Sequence, residues 1–322
     1  MTVRSMLLAG LAMCLGASQA ADYAWNLPRG FPVPAVPADN PMSDAKVALG
    51  ARLFADPRLS STGRWSCQSC HAPERAFTDG LARSRGAEGD ELAANAPTIL
   101  NTAYNPAYGW SDSGIRTLEQ QMRGPLFKQH PAELGLGGRE ARVEALLDDD
   151  AGMRRAFAAA FPGAAPAVTM DNAIRAIAAF ERTQFAGESD FDRHVFGGDH
   201  GALGAAQKRG MELFFSPRSG CSGCHGGINF AGEWVDREHP SGQATYVDAG
   251  TGSPVKVPTL RNVARTAPYL HDGRFETLPE VLDHYEKLAA DPGADTRLRR
   301  PALTTRERED LQSFLEALTD RR

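Results

Sequence analysis

The sequence predicts an all-α protein of two related units joined by long loops, and three observations predict it. The pentapeptide Cys-x-x-Cys-His occurs twice, as Cys67-Gln68-Ser69-Cys70-His71 and as Cys221-Ser222-Gly223-Cys224-His225. The residues around the first copy recur around the second, about 160 positions later. Apolar residues are spaced by three and four over several stretches, and no convincing run of alternating strand character appears. Two thiols with a His directly after them are the attachment signature of a c-type haem: the thiols bond to its vinyl groups and the His supplies the proximal iron ligand. A zinc or thiol-redox reading fits less well, because a His follows both pairs. The units therefore read as two cytochrome-c-like domains related by internal duplication. Each carries one covalently bound c-type haem, on Cys67, Cys70 and His71 in the first and on Cys221, Cys224 and His225 in the second.

The elements follow in chain order. Arg4 precedes an apolar run from Met6 to Gly16, and Ala17-Ser18-Gln19-Ala20 supplies small residues before a cut. This predicts a secretory signal over residues 1–20, cleaved after Ala20, and a periplasmic protein; the run is too short to anchor a membrane. Of the five cysteines, Cys14 alone lies outside the haem motifs, so no disulfide is expected. A helix is predicted near 43–55, where Gly50-Ala51-Arg52-Leu53-Phe54 and Pro57-Arg58 run into the first motif. Its counterpart, near 204–215, carries Gly210-Met211-Glu212-Leu213-Phe214 with Pro217-Arg218. Helices near 139–149 and 171–185 lie between. Gly187 to Gly201, rich in Gly, Asp and His, reads as the junction. The first domain is taken as residues 21–190 and the second as 191–322. Past the second motif, helices near 278–288 and 305–318 open on capping boxes, Thr277 with Glu280 and Thr304 with Glu307.

Two further blocks repeat in order. Pro97-Thr98-Ile99-Leu100-Asn101 answers Pro258-Thr259-Leu260-Arg261-Asn262, and Asp112 with Thr117-Leu118 answers Asp272 with Thr277-Leu278. The long loops are consistent with haem supplying core volume. The formal net charge is −5 with no basic tract, so nucleic acid is not an expected partner, and no segment is long enough to span a membrane.

Function turns on the far side of each iron. An electron carrier fills that position, often with Met or His, whereas an enzyme leaves one iron open to peroxide or oxygen. No Met follows Met211, so the second haem has no downstream Met ligand. Tyr285 shares a helical face with Leu278, Val281 and Leu282 and is a candidate; its plain alternative is a core tyrosine. The repeat maps Tyr285 onto Pro125 in the first unit, and proline has no side-chain atom to bind iron. The first haem is therefore expected to be open, unless the nearby Met122 or His130 closes it. Gln121 and Glu133 are residue types suited to hydrogen-bonding a peroxide and moving its proton.

At these residues the chain resembles the bacterial diheme cytochrome c peroxidase superfamily, over nearly all of the mature sequence. The resemblance lies in Pro258–Val263, Ala267–Gly273, Asn95–Thr98 and Leu118–Pro125. A Tyr at 285, and no His between His71 and Asn95, resemble its MauG-like branch, whose second haem has His/Tyr ligation. Leu126–Leu136 and the Trp-Asn-Leu-Pro run at 25–28 are similar to the MbnH group of that branch, which includes methanobactin-operon enzymes that oxidise tryptophan on a partner protein. Three stretches depart from the pattern. Trp110-Ser-Asp-Ser-Gly-Ile-Arg116 stands in place of Trp-Asp-Gly-Arg, the Glu133 loop is two residues longer than in the classical peroxidases, and Gly226–Val257 is short.

The resemblance implies an enzyme and a set of roles. His71 and His225 would be proximal ligands and Tyr285 the second haem's distal ligand. Gln121, Pro125 and Glu133 would line the peroxide pocket, with Glu133 as the acid/base. Trp110 would relay electrons between the haems, its alternative being a core aromatic. Asn95, with the carbonyls of Thr266 and Pro268, would hold a Ca2+ between the domains, and His271 would support the second haem. Hydrogen peroxide would generate a bis-Fe(IV) state that oxidises an aromatic residue, most naturally a Trp, of a secreted or periplasmic partner protein. Trp234 is a candidate exit point. Two rival readings are peroxide reduction with electrons from a small redox protein, and a non-enzymatic diheme electron carrier.

Overall fold

The structure is a computed structural model that describes residues 23–112, 114–232, 245–248, 253–288, 298 and 302–321. The expected signal peptide and Trp234 lie outside the described residues. Helix α1 (Asp44–Phe54) starts where the Ser43 hydroxyl accepts the Lys46 N–H, and its buried face is Leu49, Gly50, Leu53 and Phe54. It crosses α7 (Met170–Glu181) at Gly50, where a Cβ would come within 2.0 Å of the Ala176 carbonyl oxygen. The second half repeats the device. Helix α9 (Ala205–Phe214) crosses α11 (Thr305–Glu316) at Gly210, whose Cβ would lie 1.9 Å from the Asp310 carbonyl oxygen. One glycine at the same place in each repeat lets two helix backbones touch.

The other duplicated blocks also fold alike. Asn101 and Asn262 both take the left-handed backbone conformation, at φ 58°. Asn101 uses its side chain on Ala186, accepting the N–H at 3.0 Å and donating to the carbonyl at 2.8 Å. Asn262 accepts the Asp320 N–H at 2.9 Å. Each asparagine thereby ties the loop after its haem motif to the chain beyond the second helix of its pair. Thr98 and Thr259 cap the same turns, each hydroxyl reaching a carbonyl (Ala76 and Asn229) at 2.6 Å.

Two main apolar cores result, beside two smaller buried clusters around Phe31 and Ala76. The first gathers Leu49, Leu53, Leu126, Leu147, Phe157 and Ile177, and the second Phe191, Phe214, Phe230, Phe314 and Leu318. Helices α2 (Cys67–Cys70), α3 (Leu118–Gln121), α4 (Arg123–Phe127), α5 (Glu140–Asp149), α8 (Asp190–Val195) and α10 (Leu278–Leu288) complete the regular elements together with α6 (Ala151–Ala160). Both expected capping boxes form. Glu280 accepts from the Thr277 N–H at 2.8 Å, and Glu307 from the Thr304 N–H at 2.9 Å.

The structure departs from the sequence reading, which predicts no helix at α2, α3, α4, α6 or α8. No helix was expected at α6, yet Asp150 caps it by accepting from Gly152 and Met153, and Met153, Phe157 and Ala160 bury one face. Helix α7 stops at Glu181 rather than near 185, because the Gln184 carbonyl turns away to accept the Asn101 N–H. A hairpin, β1 (Thr245–Asp248) with β2 (Ser253–Lys256), pairs antiparallel with Tyr246 opposite Val255, where no strand was expected. Four residues a side are too few for a period of two to stand out. The fold class is unaffected: the protein is all-α. Among the described residues no helix is long and apolar enough to cross a membrane.

Candidate active site

Both C-x-x-C-H motifs are single helical turns. The His71 N–H donates to the Cys67 carbonyl and the His225 N–H to the Cys221 carbonyl, each at 2.9 Å. That winding sets the two thiols of a motif three residues apart on one face, with the imidazole following. No disulfide joins Cys67, Cys70, Cys221 or Cys224. Burial pushes the Cys67 and Cys221 thiols up, and the Cys70 thiol to about 12, so all three are neutral.

The two imidazoles are held in the same way. Nδ1 of His71 lies 3.1 Å from the Phe77 carbonyl oxygen and Nδ1 of His225 lies 3.0 Å from that of Phe230. Nδ1 therefore donates and Nε2 keeps its lone pair, the tautomer that a metal-ligating His requires. Burial drives both rings toward the neutral form, against the carbonyls of Phe77 and Pro97 in one case and of Phe230 and Pro258 in the other. Neutral thiols, a neutral ring fixed through Nδ1 and an apolar surround fit a c-type haem at each motif.

A largely apolar cavity runs from the second motif into the space between the halves. Its wall includes Cys221, Cys224, His225, Tyr285, Trp110 and Lys256. Leu278, Val281, Leu282 and Tyr285, the face of α10 read from the sequence, all lie on it. Trp110 donates its indole N–H to the Asn95 carbonyl at 3.2 Å, and its ring lies 6.4 Å from that of His271. Asn95 donates its side-chain amide to the carbonyls of Pro268 and Leu270, at 3.2 and 2.6 Å, while its Oδ1 is buried without a partner.

The residues expected around the first haem form a second group. Helices α3 and α4 run on through Met122, whose N–H donates to Leu118 and whose carbonyl accepts from Leu126. Leu118, Met122 and Leu126 are one buried stripe, whereas Gln121 and Pro125, also four apart, form the neighbouring half-buried face. The Met122 thioether thus belongs to the first core, and His130 is exposed. The loop from Lys128 folds back where the Leu134 N–H reaches the Pro125 carbonyl at 2.9 Å. That return sets Glu133 beside Pro125 and close enough to Cys70 for its charge to act on the thiol. Its carboxyl is raised by burial, with Lys128 opposing. Gly86 makes room for the loop, since a Cβ there would meet the Ala132 carbonyl oxygen at 1.6 Å. Sequence reasoning missed Lys256 on the cavity wall and Glu181, whose buried carboxyl is pushed up to about 8 and acts on the Cys67 thiol.

Residues 44–200 match the family model described as di-haem cytochrome c peroxidase. The methylamine utilization protein MauG of Methylorubrum extorquens is 36% identical, the match covering 88% of this chain and 80% of that protein. This chain belongs to the di-haem cytochrome c peroxidase family. The family places it among haem-dependent oxidoreductases that carry two c-type haems and use hydrogen peroxide, and within them it is MauG-like. The cytochrome-c peroxidase IdrP1 of a Pseudomonas species is 35% identical over 98% of this chain and 91% of its own. A crystal structure of a MauG-like protein associated with microbial copper homeostasis superposes with a TM-score of 0.83 at 36% identity, covering 93% of this chain and 96% of that one. The diheme peroxidase BthA of Burkholderia thailandensis, at 24% identity and a TM-score of 0.67 over 88% of this chain and 87% of its own, shares the fold.

Proposed function

We propose that this periplasmic enzyme uses hydrogen peroxide to oxidise an aromatic side chain, a Trp, of a partner protein. The haems supply the redox chemistry when bound. Peroxide meets the face formed by Gln121, Pro125 and Glu133; Glu133 accepts its proton and returns it to the departing oxygen. Trp110, on the cavity wall between the two motifs, would be the residue through which oxidising equivalents could pass between the haem sites. His225 and Tyr285 would hold the second haem between them, the Tyr285 phenol supplying an oxygen donor suited to a high oxidation state. The observation that carries this reading is the position of Tyr285 on the cavity wall with His225, with Trp110 on the same cavity toward the first unit. The likeness to a MauG-like protein associated with microbial copper homeostasis favours the MauG-like reading over the plain peroxidase one. Peroxide reduction with a small redox protein as electron donor is the second reading, favoured by the likeness to the cytochrome-c peroxidase IdrP1.

A calcium ion between the units belongs to the same proposal. Among the described residues no group of three or more His, Cys, Asp or Glu could hold a metal. The donors in question are an amide and carbonyls instead, and they fit in part. The Asn95 Oδ1 is buried without a partner, but the amide would have to turn over to aim it where its nitrogen now faces the Pro268 carbonyl. Thr266 would add a carbonyl. We keep the domain boundary near 190/191, at the start of α8, because Phe191 of that helix packs in the second core.

Electron paramagnetic resonance of the diferric protein, before and after one equivalent of peroxide, tests the proposal. One high-spin and one low-spin signal, both lost on addition as a near-infrared band appears, is the expected result. Tyr285→Phe should abolish that band, and an unchanged spectrum would remove Tyr285 as ligand. Two low-spin signals indifferent to peroxide would overturn the open first site.

A further inference from the structure

Lys256 closes strand β2 and is 5% exposed. Its backbone N–H donates to the Trp110 carbonyl at 2.8 Å, and its Nζ lies 5.2 Å from the centre of the indole ring. It shares a cavity with His225 and Tyr285, and its charge also reaches the ring of His71. Among the described residues no carboxylate stands against it. Burial is what perturbs the ammonium, bringing its pKa down to about 8.

Such a charge is costly unless paired. Desolvating an ammonium costs several kcal/mol even after relaxation. The indole face returns only a fraction of that cost. The side chain must then be neutral or meet an anion that is not an amino acid. A c-type haem brings two propionate carboxylates, and this cavity is walled by the attachment residues of one haem and lies within electrostatic reach of the other's proximal His. We infer that Lys256 is the counter-ion of a haem propionate, held over Trp110 in the cavity between the two haem sites, and that it thereby sets the reduction potential of that haem. A fixed positive charge favours the state with the extra electron, so losing it lowers the potential. The same ammonium opposes removal of an electron from the indole, and pairing with a propionate relieves that opposition.

The test uses the holoenzyme and no peroxide, so it stands apart from the oxidation chemistry proposed above. Spectroelectrochemical titration of Lys256→Met should show one haem whose reduction equilibrium has shifted at least tenfold toward the oxidised form, which is about 59 mV for one electron. Lys256→Arg, which keeps the charge, should stay within about threefold of the parent. The spin state of the haem that moves identifies whose propionate is held. Resonance Raman of the same samples should show the propionate bending band of that haem displaced in Lys256→Met alone. Equal potentials in the parent and Lys256→Met would overturn the inference. Should Lys256→Met fail to retain both haems, the parent decides. Propionate bands at the position of freely solvated carboxylates would sink the idea, and a displaced band would support it.

Discussion

Glu133, half-buried, and Glu181, buried, are acids near the first haem motif, and their surroundings assign them different behaviour. Glu133 is raised by burial but has Lys128 pulling it down, which leaves it able to titrate and trade a proton with peroxide. Glu133→Gln should slow the reaction with peroxide by about 100-fold or more, read by stopped-flow absorbance. Lys128→Met removes the opposing charge, so the carboxyl rises further and the midpoint at which the rate climbs with pH should move to higher pH. An unmoved midpoint would take Glu133 out of the titration. Glu181 is fully enclosed and held up to about 8, against an ordinary value of 4.5. Between those values the folded state keeps a proton that the unfolded chain has lost. Its contribution to stability is complete below about 4.5 and disappears as pH rises through about 8. Relative to Glu181→Gln, the parent should lose denaturation midpoint between pH 5 and pH 8, and parallel curves would refute this.

At the scale of elements, the two helix crossings decide the architecture of each half. Gly50→Ala offers α1 about 1 kcal/mol of helix propensity but drives a methyl group into the Ala176 carbonyl and the Phe180 Cβ. Overpacking costs about 1–3 kcal/mol when side chains give way, and backbone gives way less. Gly50→Ala and Gly210→Ala should therefore each lower stability in urea titrations, by about 2 kcal/mol. A gain would mean that the crossings open freely. The repeat displayed these two glycines in matched helical blocks, but the crossings they permit became visible only in the fold. The long helices were legible from an apolar stripe every three to four residues with a hydroxyl cap. Helix α6 was harder to see because its buried face is made partly of alanine, and its cap, Asp150, ends an acidic run that reads as solvent. The motif histidines could be placed by spacing, and so could the helical face that carries Tyr285, whereas the choice of a ligand role for Tyr285 came only with the family resemblance. Lys256 could not be placed by spacing: a Lys between Val255 and Val257 reads as the wet side of a strand, and only the tertiary fold buries it.

The whole molecule depends on a segment that the repeat does not contain. Residues 27–32 run across both halves ahead of α1. Phe31 is 7% exposed; its ring lies 5.5 Å from Tyr104 of the first unit and 4.7 Å from the guanidinium of Arg261 in the second. Tyr104 donates its hydroxyl to the Pro32 carbonyl at 2.7 Å, and Arg29 reaches the Gly197 carbonyl at 3.2 Å. Arg261 is held by Asp192 through two contacts of 2.9 Å, a buried pair in which either partner alone would be an isolated charge. The strap thus covers one face of that pair and ties it to the first unit. Phe31→Ala should cost about 3–5 kcal/mol, as for other buried Phe, and because the ring touches both units the loss should appear in both. Thermal unfolding followed at the Soret band of each haem should show the two midpoints falling together. A fall confined to one haem would mean that the strap belongs to a single unit, and that the halves are held in register by the contacts around Trp110 and Asn95 instead.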